Sequence, residues 1–328
     1  MRTRVTDIFG IEHPIVSAGI PILNPELIAS VSEAGGLGIL GVTMLSPEAI
    51  HERAAAIRKR TSRPFGFNLL VPFCSDAQFD ACIEARVPVL STAWGPADGG
   101  VRRARAAGIP LLHMVTTAAE AVAAARAGAS VIAAQGTEAG GGLVGSVGSM
   151  ALVPAVIDAL TAAQGDARPP VIAAGGVADG RGLAAALSLG AEGVLVGTRF
   201  MATDEASVWP AWKSAICAAT EADTIQTRIT NLVARPTWAP VAPGRVLQTR
   251  AVMSWVGREE ELAALSSTQR EEIAAQWAQA RQDGRAQDTE VIAGQDCGII
   301  REVLPAATVV REMITTAEAI LRRFAHPR

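Results

Sequence analysis

The chain has 328 residues, 49% apolar and 19% charged, and its 29 Lys+Arg against 32 Asp+Glu leave a net charge of −3. That is enough chain for a packed core without disulfide or metal staples, and the charge balance gives no reason to bind nucleic acid or an anionic membrane. It contains no tyrosine, which excludes a phenol acid, and its four histidines are His13, His51, His113 and His326.

At the N-terminus, Asp7, Glu12 and His13 interrupt the apolar residues, so no signal-peptide core forms and a cytoplasmic location is expected. The four cysteines, Cys74, Cys82, Cys217 and Cys297, are widely spaced without a C-x-x-C. They read as free thiols in the core, not as a disulfide framework or zinc site.

Along the first two-thirds, an Ala-rich helical stretch is followed by Ala-Gly or Leu-Gly and then a short aliphatic run, as in RRARAAGIPLLHMV (102–115) and LAAALSLGAEGVLVGT (183–198). The glycine suits a helix C-cap turning into a buried strand. Candidate strands fall near 14–19, 37–41, 65–70, 87–92, 110–115, 130–134, 170–174 and 193–197. Strands alternating with helices imply a parallel sheet, and this number of units in that length predicts an α/β fold, a (β/α)8 barrel.

The uncharged run Ala139–Ile157 is long enough for a bilayer, but its glycines and Pro154 favour a glycine-rich loop leading into a short helix. From about 209 the pattern changes. WPAWKSAICAAT is helical in character, 229–250 is Pro-rich and irregular, 258–281 reads as one polar-faced helix, and a last helix is expected near 307–324. The expected division is a barrel over 1–208, a helical cap over 209–305 and a C-terminal helix, 306–328, returning to the barrel.

Several motifs carry chemistry. GLGILG (36–41) has the spacing of a dinucleotide fingerprint, but its glycines follow a helix and lie in the strand, the reverse of what that fingerprint requires. In PPVIAAGGVADGRG a buried strand ends in Gly175-Gly176, and the next strand ends in Gly197-Thr198. These loops follow strands seven and eight, where such barrels commonly hold a phosphate, with backbone amides and one hydroxyl available. Asp179 reads as a helix cap. Gln135 and the glycines Gly140, Gly141 and Gly142 follow strand six, and Asn68 ends strand three. The two amides are placed to read the edge of a heterocycle, and the glycines to lie flat against a planar ligand.

His13 falls on the stability face, His113 reads as a satisfied core group, and His51 and His326 read as surface residues. Trp209, Trp212, Trp238 and Trp255 fall in the cap, where they pack its core or line an apolar pocket.

EHPIVSAG, PFGFN, AAQGTEAGGG, VIAAGGVADGRG, VGTRFMAT and AGQDCGII, in that order, make the chain resemble the nitronate monooxygenases, with their FMN-dependent relatives among enoyl and quinone reductases. The resemblance spans essentially the whole chain. It implies FMN at the C-terminal face of the barrel, with Gly175, Gly176, Gly197 and Thr198 at the phosphate. Asn68, Gln135, Gly140 and Gly141 would lie at the ring and ribityl chain, and Ala18 and Gly19 beside the isoalloxazine. A small-molecule substrate, O2 or an organic electron acceptor, and NAD(P)H as a possible reductant follow from the same resemblance.

The departures bear on the chemistry. Where the family's loop usually carries a histidine, the expected base, this chain has Gly142. Ser17 stands where many members have glutamine, and Met114 where some have lysine. A nitronate is already a carbanion equivalent and needs no base, whereas a neutral nitroalkane does. An enoyl reduction needs a proton from water, a cysteine or an acid such as Glu138, while a quinone takes protons from solvent. The expected activity is therefore oxidation of alkyl nitronates with O2; the alternative is NAD(P)H-dependent reduction of a quinone or activated alkene. Two further readings are a non-redox (β/α)8 lyase or isomerase using the same phosphate site, and a flavin-binding protein that has lost turnover. Restoring histidine at position 142 is expected to raise activity on neutral nitroalkanes.

Overall fold

The computed structural model describes residues 1–20 and 24–325; the expectation for His326 lies outside them. Eight parallel strands form one sheet: β1 (Ile15–Ser17), β2 (Gly38–Gly41), β3 (Phe65–Leu70), β4 (Val89–Ala93), β5 (Leu111–Val115), β6 (Val131–Gln135), β8 (Val171–Ala174) and β9 (Val194–Val196). Their order is β1-β9-β8-β6-β5-β4-β3-β2. A parallel bridge between Val16 and Leu37, with Ser17 N–H donating to the Leu37 carbonyl at 2.9 Å, closes the ring. The molecule is a (β/α)8 barrel, and each predicted strand lies within a few residues of its observed position.

Local chemistry starts the barrel helices where they are needed. Asn24 and Ser46 accept from Leu27 N–H and Ala49 N–H, and each is followed by proline at the first helical position. A side-chain cap satisfies one orphan donor, while proline has no donor to lose there and a pre-set φ. The parity of each strand then sorts side chains. Val16, Leu37, Ile39, Val89, Leu112, Val131, Ile172 and Leu195 fill the interior, sealed at the N-terminal end by Val5 and Phe9 of the helix Arg4–Phe9. Phe65, Phe67, Leu69, Ile132 and Val194 point outward to the helices.

The same parity places Ala18, Asn68, Ala93, Met114, Gln135, Ala174 and Gly197 inward, at or just beyond the C-terminal strand ends. Small residues there leave the top of the barrel open.

The region after β9 is more ordered than expected. The segment 229–250 forms the helix Ile229–Ala234 and strand β11 (Gly244–Leu247), which pairs antiparallel with β10 (Thr224–Thr227) and with β7 (Gly141–Gly142). The expected single helix over 258–281 is two, Glu259–Ala264 and Ser267–Gln282, because Leu265 is extended and Ser266 caps the second by accepting from Gln269 N–H. The helix after the glycine loop is not short. It runs Ser149–Gln164, 16 residues, with Pro154 inside it.

The last helix, Ala306–Ala325, packs on Gly180–Ser188 and Pro25–Glu33, the helices that follow strands seven and one. It therefore occupies the eighth barrel-helix position. The intervening segment leaves and returns at adjacent points, since Thr203 and Leu304 form a parallel bridge and Asp204 N–H donates to the Leu304 carbonyl at 3.1 Å.

Candidate active site

A cleft of about 510 Å³ opens over the C-terminal strand ends and is roofed by the cap. Ala18, Gly19, Asn68, Gln135, Gly140, Gly141, Gly175, Gly176, Gly197 and Thr198 all line it, so residues from five strand ends and the loop after β6 meet at one cavity. Asn68 is buried, with Nδ2 donating to Ser91 Oγ at 3.1 Å. A Cβ on Gly19 would fall within the Asn68 side chain, so glycine is what lets the β1 loop cross that amide.

Gln135 Nε2 donates to the Gly142 carbonyl at 3.1 Å, while its Oε1 is buried with no hydrogen-bond partner. A buried orphan acceptor costs about 1–3 kcal/mol unless a donor arrives. Gln135 lines the cleft, where a ligand donor would satisfy this oxygen. Gly175 and Gly176 sit at φ +94° and +75°, and a Cβ on Gly175 would meet Ala139 N at 2.8 Å. Both glycines let the loop after β6 pack closely on the end of β8, and this bare backbone beside the orphan acceptor fits a ligand with a polar heterocycle and a phosphate. The Thr198 hydroxyl, expected to be free for that phosphate, is engaged with the cap instead. It accepts from Gly294 N–H at 2.9 Å and bonds to the Asp296 carboxylate, leaving backbone amides as the donors on this side.

One expectation holds and two change. Asp179 does cap its helix, accepting from Arg181 N–H at 2.9 Å. Glu138, considered as a proton source, is committed to the helix Ser149–Gln164: its carboxylate accepts from Ser149 N–H at 2.9 Å and from Ser149 Oγ at 2.9 Å. Position 142 has no room for histidine as the chain stands, because a Cβ there would overlap Cζ2 at the edge of the Trp94 six-membered ring.

Trp94 was not foreseen. It follows β4 at φ +62°, a left-handed backbone that costs a bulky residue of order 1–3 kcal/mol. An edge-on contact to Phe73 (6.2 Å) and another to Trp238 (5.6 Å) hold it over the cleft, and Phe73 stacks on Trp238 at 5.0 Å. Its signal in the sequence was a tryptophan before Gly95-Pro96 at a strand's C-terminal end. Of the cap tryptophans, Trp209, Trp212 and Trp238 line the cleft, whereas Trp255 packs within the cap.

Asp296 also lines the cleft, is buried, and has its carboxyl pushed up to about 7 by that burial. Arg235, Arg281 and Glu290 complete the wall beneath the cap. His113 is buried beside Thr92, with Nδ1 2.8 Å from Oγ1, and His13 lies at the other end of the barrel, its N–H donating to the Gly35 carbonyl. Cys82 and Cys297 are buried; Cys74 and Cys217 are only half-buried, and all four are free thiols.

A (β/α)8 barrel with glycine loops after strands seven and eight, and two amide side chains at the mouth of a cleft over the C-terminal strand ends, defines an enzyme scaffold. The family model described as nitronate monooxygenase matches residues 2–82 and 73–316, and the chain belongs to that family of flavin-type oxidoreductases.

A probable nitronate monooxygenase of Staphylococcus saprophyticus is 29% identical, covering 98% of this chain and 99% of the relative. A Rhodococcus jostii protein named (3aS,4S,5R,7aS)-5-hydroxy-7a-methyl-1-oxo-octahydro-1H-indene-4-carboxyl-CoA dehydrogenase is 38% identical over 63% of this chain and 57% of its own. Among solved structures, FabK from Thermotoga maritima superposes with a TM-score of 0.86 at 34% identity over 99% of each chain. No helix among the described residues is long and apolar enough to cross a membrane.

Proposed function

We propose that the cleft holds FMN and that the enzyme oxidises alkyl nitronates with O2. Backbone groups of Gly175, Gly176, Gly197 and Thr198 would hold the phosphate. Asn68, Gln135, Gly140 and Gly141 would contact the ring and ribityl chain, with Ala18 and Gly19 beside the isoalloxazine. The orphaned Gln135 Oε1 supports this, since a ring N–H or ribityl hydroxyl would supply its missing donor. FMN, when bound, accepts electrons from the substrate and passes them to O2.

The observation that carries the substrate reading is the exchange at position 142. The loop offers no side-chain base, and the indole of Trp94 takes the space one would need. A donor that arrives already ionised needs neither, and the aromatic wall of Trp94 and Trp238 excludes water from its alkyl part. The name of the full-length staphylococcal relative supports the same reading.

A second reading is NAD(P)H-dependent reduction of a quinone or activated alkene; the Rhodococcus relative, named a carboxyl-CoA dehydrogenase, supports redox chemistry on an acyl-type substrate. One experiment separates the two. The visible spectrum of the purified protein is followed without oxygen while an alkyl nitronate, its neutral nitroalkane, NADH or NADPH is added. Bleaching by the nitronate and not by the nitroalkane is expected. Bleaching by a nicotinamide alone would replace the first reading with the second, and a colourless protein that cannot be loaded with FMN would overturn both.

A further inference from the structure

Arg235, Glu290 and Arg281 come from three separate parts of the cap and meet in the wall of the cleft. Glu290 is buried, at 5% exposure. The simplest use of two arginines beside a buried carboxylate is to neutralise it, but the distances argue otherwise. Arg235 Nη2 makes long hydrogen bonds, 3.5 Å, to both Glu290 carboxylate oxygens, and Arg281 Nη1 stands 3.9 Å from the nearer one. Charge-assisted pairs that close fully reach about 2.7–2.9 Å. Arg235 holds the carboxylate only through these long bonds and Arg281 makes none to it, so two positive charges face one negative.

Both arginines are also held in fixed planes. The Arg281 guanidinium lies over the Trp209 ring at 5.4 Å, and Arg235 lies over Trp238 at 5.5 Å. Arg281 Nη1 donates to Thr289 Oγ1 at 2.9 Å, and Arg235 Nε to Asn231 Oδ1 at 3.2 Å. Each guanidinium has five N–H donors in a planar fork, so these bonds leave capacity for a further acceptor. The cleft's other acid, Asp296, is engaged with Thr198.

We infer that Arg281 and Arg235 form a recognition site for an oxyanion, carboxylate or phosphate, carried on an apolar body that packs against Trp94, Trp212 and Trp238. The substrate is then an organic acid or a phosphate-bearing derivative of one, with the reacting carbon in the apolar part. This rests on the reading of the cleft as the substrate site. Its test reads binding alone, so failure of the redox step and failure of the anion site are distinguishable.

The flavin-loaded protein is titrated calorimetrically with 2-naphthoate and with neutral 2-naphthylmethanol. Naphthoate is expected to bind at least about tenfold more tightly, since a hydrogen bond to a charged group is worth that much or more. Arg281→Gln should abolish the preference. Glu290→Gln, which removes the competing carboxylate and keeps the shape, should tighten naphthoate binding, and this opposite movement guards against a variant that merely misfolds.

Coenzyme A is then added as competitor. Displacement of naphthoate by micromolar coenzyme A identifies a phosphate-bearing ligand, and no displacement identifies a carboxylate; either supports the site. Equal binding of naphthoate and the alcohol would overturn it, as would naphthoate affinity unchanged in both variants.

Discussion

A Cβ added at Gly142 would overlap the Cζ2 edge of the Trp94 ring, so the loop after β6 and the strand end of β4 compete for one volume. The tryptophan holds it despite its positive φ because Phe73 and Trp238 pack against its edges and faces. Gly142→His alone is therefore expected to lower stability by about 1–3 kcal/mol, the usual cost of overpacking, with no gain on neutral nitroalkanes. With Trp94→Gly added, the backbone strain is relieved and the volume is freed, and both stability and nitroalkane oxidation should rise above the single variant. Melting temperatures and rates per folded molecule check this; a single Gly142→His variant as active as the double would sink it.

Asp296 gives a pH test at the same scale. Its carboxyl sits at about 7 in the fold because burial disfavours the charge. An unfolded aspartate titrates near 3.9, so between these values the native state keeps a proton that the unfolded chain has released. The stability is fully present below about 4 and is lost as pH rises toward 7. Asp296→Asn removes that loss, and its melting temperature should exceed that of the parent clearly at pH 8 and little at pH 4. Equal differences at both pH values would refute the assignment.

Among the elements, the barrel strands were legible because each is a short apolar run and most are bounded by glycine or proline, as a parallel strand buried on both faces must be. Gly175-Gly176 and Gly197-Thr198 were legible for the same reason, as glycines fixed to strand ends. The cap was not. Strand β7 is two glycines, which carry no pattern, and it exists only because Arg245 and Gly244 pair with it. Arg235, Arg281 and Glu290 are far apart in sequence, and the packing of the cap alone unites them.

The length of the helix Ser149–Gln164 was missed because its uncharged start reads as loop. What starts it is Glu138, eleven residues upstream, whose carboxylate takes the first free N–H. Glu138→Ala should cost about 1–2 kcal/mol, the loss of a cap and of a negative charge at a helix N-terminus. Urea unfolding measures this. Turnover per folded molecule should be retained, and its loss would return Glu138 to the list of proton donors.

Among the described residues three hydrophobic cores set the order in which the molecule yields, and two lie outside the barrel interior. One runs continuously between strands and helices and includes the last helix through Val309, Val310 and Met313. The other belongs to the cap: Ile229, Leu232, Val233, Val246, Val252, Leu262 and Trp277. The cap's chain leaves and rejoins the barrel at neighbouring residues, Thr203 and Leu304, so its core can open without parting the barrel strands. It is tied to the glycine loop after β6 by the pairing of Gly244 with Gly142, and by Arg245 Nε donating to the Thr137 carbonyl at 3.1 Å.

Leu262→Ala, at a fully buried position of the cap core, should cost about 2–5 kcal/mol there. Hydrogen exchange should then quicken across 229–282 and in the 139–143 loop, while the amides of β3 to β6 keep their protection. Uniform loss of protection through the barrel strands would mean that cap and barrel unfold as one unit, and that the glycine loop owes its shape to the barrel and not to the cap that pairs with it.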